Sequence, residues 1–164
     1  MAFSNVGSDV EVVDYDGVMA SEIIEVWRLS FDKALGLQQR LDSAEGQLAY
    51  LENVLAKENE ILVLLEQNIS RVLGFMALGP DTIEQLYLHP DYLGKGYGRQ
   101  LVDIAKARSS GELSLHTFQA NLSAQKFYLA MGFIEVSRSC ADLESNPWAR
   151  SRSQLKDILY RWRT

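Results

Sequence analysis

Glycine recurs at every second position in Leu93-Gly94-Lys95-Gly96-Tyr97-Gly98-Arg99. The residues before it, Thr82 to Leu88, are strand-like. Those after it, Tyr97 to Arg108, place Leu101, Val102, Ile104 and Ala105 on one helical face. A strand therefore runs into the loop and the loop opens a helix. The first N–H groups of a helix have no partner within it and carry partial positive charge. Glycines let that backbone approach a phosphate with no Cβ in the way. Together the two features make a main-chain cradle suited to a pyrophosphate, to which Lys95 and Arg99 add local positive charge. Two better-known phosphate loops do not fit. Gly94-Lys95-Gly96 lacks the Ser or Thr that follows lysine in a P-loop. The dinucleotide fingerprint places its third glycine later and needs an acidic residue after the next strand. A tight strand-to-helix turn with no ligand is the alternative reading of the glycines alone.

The rest of the composition narrows the setting. At 164 residues, the chain fits one domain spanning 1–164 that buries enough surface to fold without disulfides or a structural metal. Apolar residues make up 47% and charged residues 23%, an ordinary globular balance. The one cysteine, Cys140, has no internal partner, and with two histidines, His89 and His116, the ligands for a closed zinc site are scarce, so no metal is expected. Met1 to Val10 has neither the positive start nor the apolar core of a signal peptide, and Ile61 to Leu65 is too short to span a bilayer. The expectation is a cytoplasmic protein with no membrane partner. A formal charge of −6 argues against a nucleic-acid partner and mildly favours a cationic one.

Several elements must position the loop. Val10 to Tyr15 reads as a first strand, Ala20 to Leu35 as a helix, and Leu37 to Lys57 as a more polar helical region broken near Gly46. Ile61 to Glu66 and Val72 to Leu78 are strand-like on either side of a turn at Gln67 to Arg71. Leu113 to Phe118 reads as a strand, Ser123 to Met131 as a helix closed by Gly132, and Phe133 to Arg138 and Asp157 to Arg163 as the last strands. The class is α+β around one sheet, with strands crowded in the middle.

A second motif follows the glycine loop by about twenty residues. Asn121, Ala124, Phe127, Tyr128, Gly132 and Phe133 fall on the pattern Asn-x-x-Ala-x-x-Phe-Tyr-x-x-x-Gly-Phe. With Gly96 and Gly98, these residues resemble the two central motifs of the GNAT superfamily of N-acetyltransferases. The likeness runs from about Ile61 to Val136. Gln85-Leu86-Tyr87, Thr117 to Asn121 and the ending Asp157-Ile158-Leu159-Tyr160-Arg161-Trp162 look like one bacterial subgroup of unassigned substrate. Leu93 departs from the family pattern, which has Gln or Arg at that position.

The resemblance implies a single-domain fold with a central mixed, twisted sheet flanked by helices, its parallel fourth and fifth strands splaying apart at one end. It implies acetyl-CoA as co-substrate. Main-chain groups of Leu86, Tyr87 and Leu88 would pair with the pantetheine arm. Leu93, Gly94, Lys95, Gly96, Tyr97, Gly98 and Arg99 would hold the pyrophosphate. Asn121 reads first as a helix N-cap, and the family adds a cofactor contact. Tyr128 stands at the family's acid position, beside the sulfur; the plain alternative is a core tyrosine packed on Phe127. An attacking amine must lose a proton. Glu84, placed by strand alternation on the side of Leu86 and Leu88, and His116, with the better unperturbed pKa, are the two candidates. Each is also readable as an ordinary strand residue. Trp27, Phe31 and Tyr50 lie where relatives cover the acceptor, and they read equally well as ordinary core residues. The expected partner is a small-molecule or peptide amine, with homodimer formation left open. The functions in competition are amine acetyltransferase, protein lysine or N-terminal acetyltransferase, and a non-catalytic acyl-CoA sensor.

Overall fold

The computed structural model describes residues 9–38 and 40–164; most of the stretch tested above for a signal peptide lies outside them. Strand β1 (Val10–Asp14) leads through a short turn into helix α1 (Ala20–Leu35). Helix α2 (Ala44–Tyr50) continues as a π-helical stretch, Leu51–Leu55, into a final turn α3 (Ala56–Glu58). Strands β2 (Glu60–Glu66), β3 (Arg71–Leu78) and β4 (Ile83–Leu88) follow. Helix α4 (Tyr97–Arg108), strand β5 (Glu112–Phe118), helix α5 (Leu122–Ala130), and strands β6 (Ile134–Cys140) and β7 (Lys156–Arg163) complete the chain.

The strands form an antiparallel set in the order β1-β2-β3-β4 and a second in the order β5-β7-β6. One parallel bridge, Thr82 to Ser114, joins them. Side-chain alternation divides the apolar residues between two faces. Leu62, Leu64, Met76, Leu113, Leu115, Ile158 and Tyr160 pack with α4 and α5 through Leu101, Val102, Ala105, Tyr128 and Met131. Val63, Phe75, Ala77 and Leu155 pack on the other face with α1 and the α2 region, through Ile23, Trp27, Phe31, Leu51 and Leu55. Each fully buried aliphatic side chain stabilises the fold by about 1.5–3 kcal/mol relative to exposure.

Two expectations are corrected. The second helical region does not begin at Leu37 or break at Gly46. It starts after Ser43, whose hydroxyl accepts from the Gly46 N–H at 3.0 Å, and its irregularity is the π stretch at Leu51–Leu55. The residues before it are drawn into an ion-pair knot instead: Arg40 bonds Asp32 and Asp42, each at 2.7 Å. The second correction concerns Glu84. The β3–β4 register pairs Ala77 with Gln85 and Leu78 with Ile83, so Glu84 is the extra residue of a β-bulge. Ile83, not Glu84, joins Leu86 and Leu88 in the α4–α5 core.

Candidate active site

Strands β4 and β5 are held together at one end and part at the other. At the closed end, the Ser114 N–H donates to the Asp81 carbonyl at 3.0 Å. The Asp81 carboxylate accepts from the N–H and hydroxyl of Ser110 at 3.0 and 2.8 Å. Beyond the Thr82–Ser114 bridge, β5 turns to β7 for its pairing and β4 keeps only β3. The His89 N–H donates to Leu73 on β3 at 2.7 Å. Because successive residues of a strand turn their main-chain groups to opposite sides, Tyr87 also faces β3. Leu86 and Leu88 therefore present theirs to the open side, whereas Tyr87 reaches the gap by its side chain.

The gap opens into a cleft of about 1030 Å³. Glu84, Gln85, Leu86 and Tyr87 line it from β4; Leu115, His116, Thr117 and Phe118 line it from β5; and Asn121, Ala124 and Tyr128 from α5 and its cap. Glu84, His116 and Tyr128, drawn from three elements, thus share one cavity. Glu84 and His116 are exposed, and Glu84 accepts from the Thr82 hydroxyl at 2.7 Å. Tyr128 is only 7% exposed, and its ring packs against Phe127 and Phe133 at 5.0 and 5.5 Å. No described residue hydrogen-bonds its hydroxyl. Burial raises its pKa well above the ordinary phenol value, and the nearby Tyr87 raises it further, so at neutral pH the phenol keeps its proton. Tyr87 is itself raised by burial, against the opposing pull of Arg40 and of a Trp27 hydrogen bond. The Asn121 side chain caps α5, accepting from the Ala124 N–H at 3.1 Å.

The glycine turn lies outside this cavity, past the end of β4. Its shape comes from backbone conformation: Gly94 and Gly96 have φ of 75° and 88°, values that side-chain-bearing residues rarely adopt, with open space where a Cβ would stand. No side chain caps the α4 N terminus among the described residues, so its first N–H groups are free to meet an anion. Leu93, Lys95 and Arg99 are exposed, and Tyr97 is partly buried. The Lys95 ammonium sits 4.9 Å from the Tyr92 ring centre. Gly98 is buried for a packing reason, since a Cβ there would come within 3.2 Å of Phe127 and 3.5 Å of Leu88.

Relatives share this fold. Over 127 residues, 77% of this chain and 85% of the relative, the sequence is 30% identical to the peptidyl-lysine N-acetyltransferase YjaB of Salmonella typhimurium. The chain belongs to the GNAT acetyltransferase family. The acetyltransferase (GNAT) domain matches residues 57–135, which hold the glycine turn and Tyr128. The solution structure of apo YjaB from Escherichia coli superposes with a TM-score of 0.72 at 22% identity, covering 94% of this chain and 98% of that one. The structure of yncA from Salmonella typhimurium with its cofactor acetyl-CoA gives 0.66 at 18%, covering 95% and 94%.

In this GNAT chain, much of the other cleft wall was not found by sequence reasoning. Trp27, Phe31 and Tyr50 line it, the first two also packed in the core, and so do Arg40, Asp42, Gln47, Glu144, Trp148 and Asp157. Trp148 stacks edge-on against Phe31 at 4.9 Å and Phe118 at 5.3 Å. An isolated tryptophan in the polar stretch Glu144 to Arg150 was the one available signal. Tyr50 feels the site's charge: its phenol is raised first by burial, then by Glu84 and Glu58.

Proposed function

We propose that this GNAT enzyme transfers an acetyl group from acetyl-CoA to a primary amine by direct attack, with Tyr128 protonating the departing thiolate. The observation that carries the reading is the convergence of a protonated, unengaged Tyr128 hydroxyl with Glu84 and His116 in one cleft at the β4–β5 splay. The residues fit the co-substrate. The free edge of Leu86 and Leu88 suits an amide-rich arm added like a strand. The left-handed turn at Gly94 and Gly96, running into an uncapped helix, suits its pyrophosphate. Bound there, acetyl-CoA supplies the thioester carbonyl that the amine attacks.

The chain's own residues then divide the work. Leu86 and Leu88 orient the arm along β4, and Lys95 and Arg99 add positive charge beside the phosphates. Glu84, turned by the bulge toward the α2 side, and His116 stand where the incoming ammonium must give up its proton. Tyr128 holds the proton needed on the leaving sulfur. A phenol near 10 facing a thiol near 8.5 makes that transfer nearly balanced in water. Burial of Tyr128 makes its proton harder to give, a cost that falls as negative charge gathers on the sulfur.

A peptidyl-lysine acceptor is the second reading. It is favoured by the carboxylates on the cleft wall, Asp42, Glu84, Asp142, Glu144 and Asp157, and by the activity named for YjaB. Thiol release from acetyl-CoA, followed across a panel of alkylamines and lysine peptides, tests both. Release with amines of either kind supports the transfer reading, and acetyl-CoA binding without release to any of them overturns it.

A further inference from the structure

Asp157 is a buried carboxylate for which the transfer chemistry has no use. It is 7% exposed and lies on the cleft wall. Cross-strand partners share a face, and the register sets Asp157 opposite Phe118 on one side and Ser139 on the other. Phe118 packs toward α1 and Trp148. Asp157 therefore belongs to the α1–α2 face, together with His116 two residues back along β5. Its carboxylate accepts one hydrogen bond among the described residues, from the Ser139 hydroxyl at 2.6 Å, and no lysine or arginine pairs with it there. A carboxylate withdrawn from water without a counter-charge is unfavourable unless something supplies one.

No lysine or arginine among the described residues supplies it, and His116, on the same face, is a candidate for the base. Among the described residues Arg40 is the one arginine lining the cleft, and it is committed to Asp32 and Asp42. Glu84, Asp142 and Glu144 add further negative charge. Thr117, one position along β5, is 8% exposed, lines the cleft, and has a hydroxyl with no partner among the described residues. Paired with Ile158, it turns to the α4–α5 face, so its unmet hydrogen bond marks a polar ligand in the cleft but not at Asp157 itself. The negative groups also stand at two places: Glu84 on β4 beside the splay, and Asp157 beyond β5, one strand further across.

We propose that Asp157 anchors a second positive charge on the acceptor. The preferred substrate is then a primary amine bearing another ammonium or guanidinium a few carbon atoms from the nitrogen that is acetylated. This rests on the amine-transfer reading above. Asp157 is a specificity residue in this account, binding the far cation while Glu84, His116 and Tyr128 serve the near nitrogen. The second charge could belong to a free diamine or to a residue neighbouring a peptide lysine.

The test compares kcat/KM within two matched pairs: 1,4-diaminobutane against n-butylamine, and α-acetylated Lys-Lys amide against α-acetylated Lys-norleucine amide. The enzyme should prefer the doubly charged member of at least one pair by about tenfold or more, mainly through KM. Which pair shows it identifies the source of the charge. Asp157→Asn, which keeps the shape, should bring the ratio close to one while leaving kcat and the KM for acetyl-CoA near wild type. If the asparagine chain does not fold, Asp157→Ser serves in its place. Acetylation of all four amines with no preference, or a preference that survives the substitution, overturns the role of Asp157 and leaves the transfer reading intact. Absence of any acetylation, with acetyl-CoA bound, overturns the transfer reading and this role with it.

Discussion

On the α4 side of the splay, what the fold leaves open is main chain: the edge of Leu86 and Leu88 and the turn set by Gly94 and Gly96. On the α1–α2 side it is side chains from segments far apart in sequence, with Trp27 and Phe31 on α1, Tyr50 on α2, Trp148 in the loop before β7 and Asp157 on β7. In the proposed reaction the first side would meet groups common to every copy of one co-substrate, amides and a pyrophosphate, for which backbone geometry suffices. In the same reading the second would distinguish one amine from another, and that requires side chains of particular shape and charge. A single fold can therefore hold one side constant and vary the other.

The sharpest way to break this contrast is Gly96→Glu. It forces a side chain into φ 88° and sets a carboxylate at the anion site. Acetyl-CoA binding measured by calorimetry should be largely abolished, with the circular dichroism spectrum retained. Affinity equal to wild type would remove the turn from the site.

Next in size is Tyr128→Phe, which deletes one oxygen at the meeting of the two sides. Turnover with a productive amine should fall at least about tenfold, within the range positioned acids contribute, and acetyl-CoA affinity should barely change. Because the phenol pKa is raised, any loss of wild-type rate from ionising Tyr128 should come only above the ordinary value near 10. A phenylalanine variant at full rate, with chemistry shown to be rate-limiting, would make Tyr128 a packing residue.

His116→Ala and Glu84→Gln sharpen the acceptor side. The wild-type rate should rise with pH through an apparent pKa that disappears in one of the two. Identical profiles in all three proteins would leave deprotonation to a water chain or to the amine in solvent.

The smallest effect belongs to the wall behind the acceptor. Burial pushes Asp42 up, but the hydrogen bond and charge of Arg40, helped by Arg28, bring it below the ordinary carboxylate value. A carboxylate depressed in the folded state adds stability above its unfolded pKa, near 3.9, and loses it as pH falls through the folded value. Urea unfolding should therefore show Asp42→Asn less stable than wild type at neutral pH, with the gap closing below about pH 3.9. A gap that stays constant through that range would mean the Arg40–Asp42 pair contributes nothing net.

The bounds of α1 and α4 were legible because each repeats apolar residues at helical spacing over at least three turns. The hairpin before β3 and the Asn121 cap were legible because turn and cap chemistry is local. The bulge at Glu84 was not. Nothing in Ile83-Glu84-Gln85 marks an extra residue, since a bulge is defined by the count on the partner strand, here Ala77 and Leu78. Likewise, the polar run Leu37 to Lys57 read as helical from its start because the Arg40 contacts with Asp32 and Asp42 are invisible to periodicity.

The sequence by itself determined the family, the class of fold, the glycine turn and the position of Tyr128, all of which are written in contiguous residues at fixed spacing. Only the tertiary structure decided which way Glu84 points, that Tyr87 meets the cleft by its ring, and that Trp148 and Asp157 share a wall with Tyr50. The physical reason is range. Capping, left-handed glycines and helical periodicity act within a few residues along the chain. A cleft wall is set by strand register and by how α1, α2 and the loop before β7 pack on one sheet face, contacts such as Phe31 with Trp148 between residues more than a hundred positions apart.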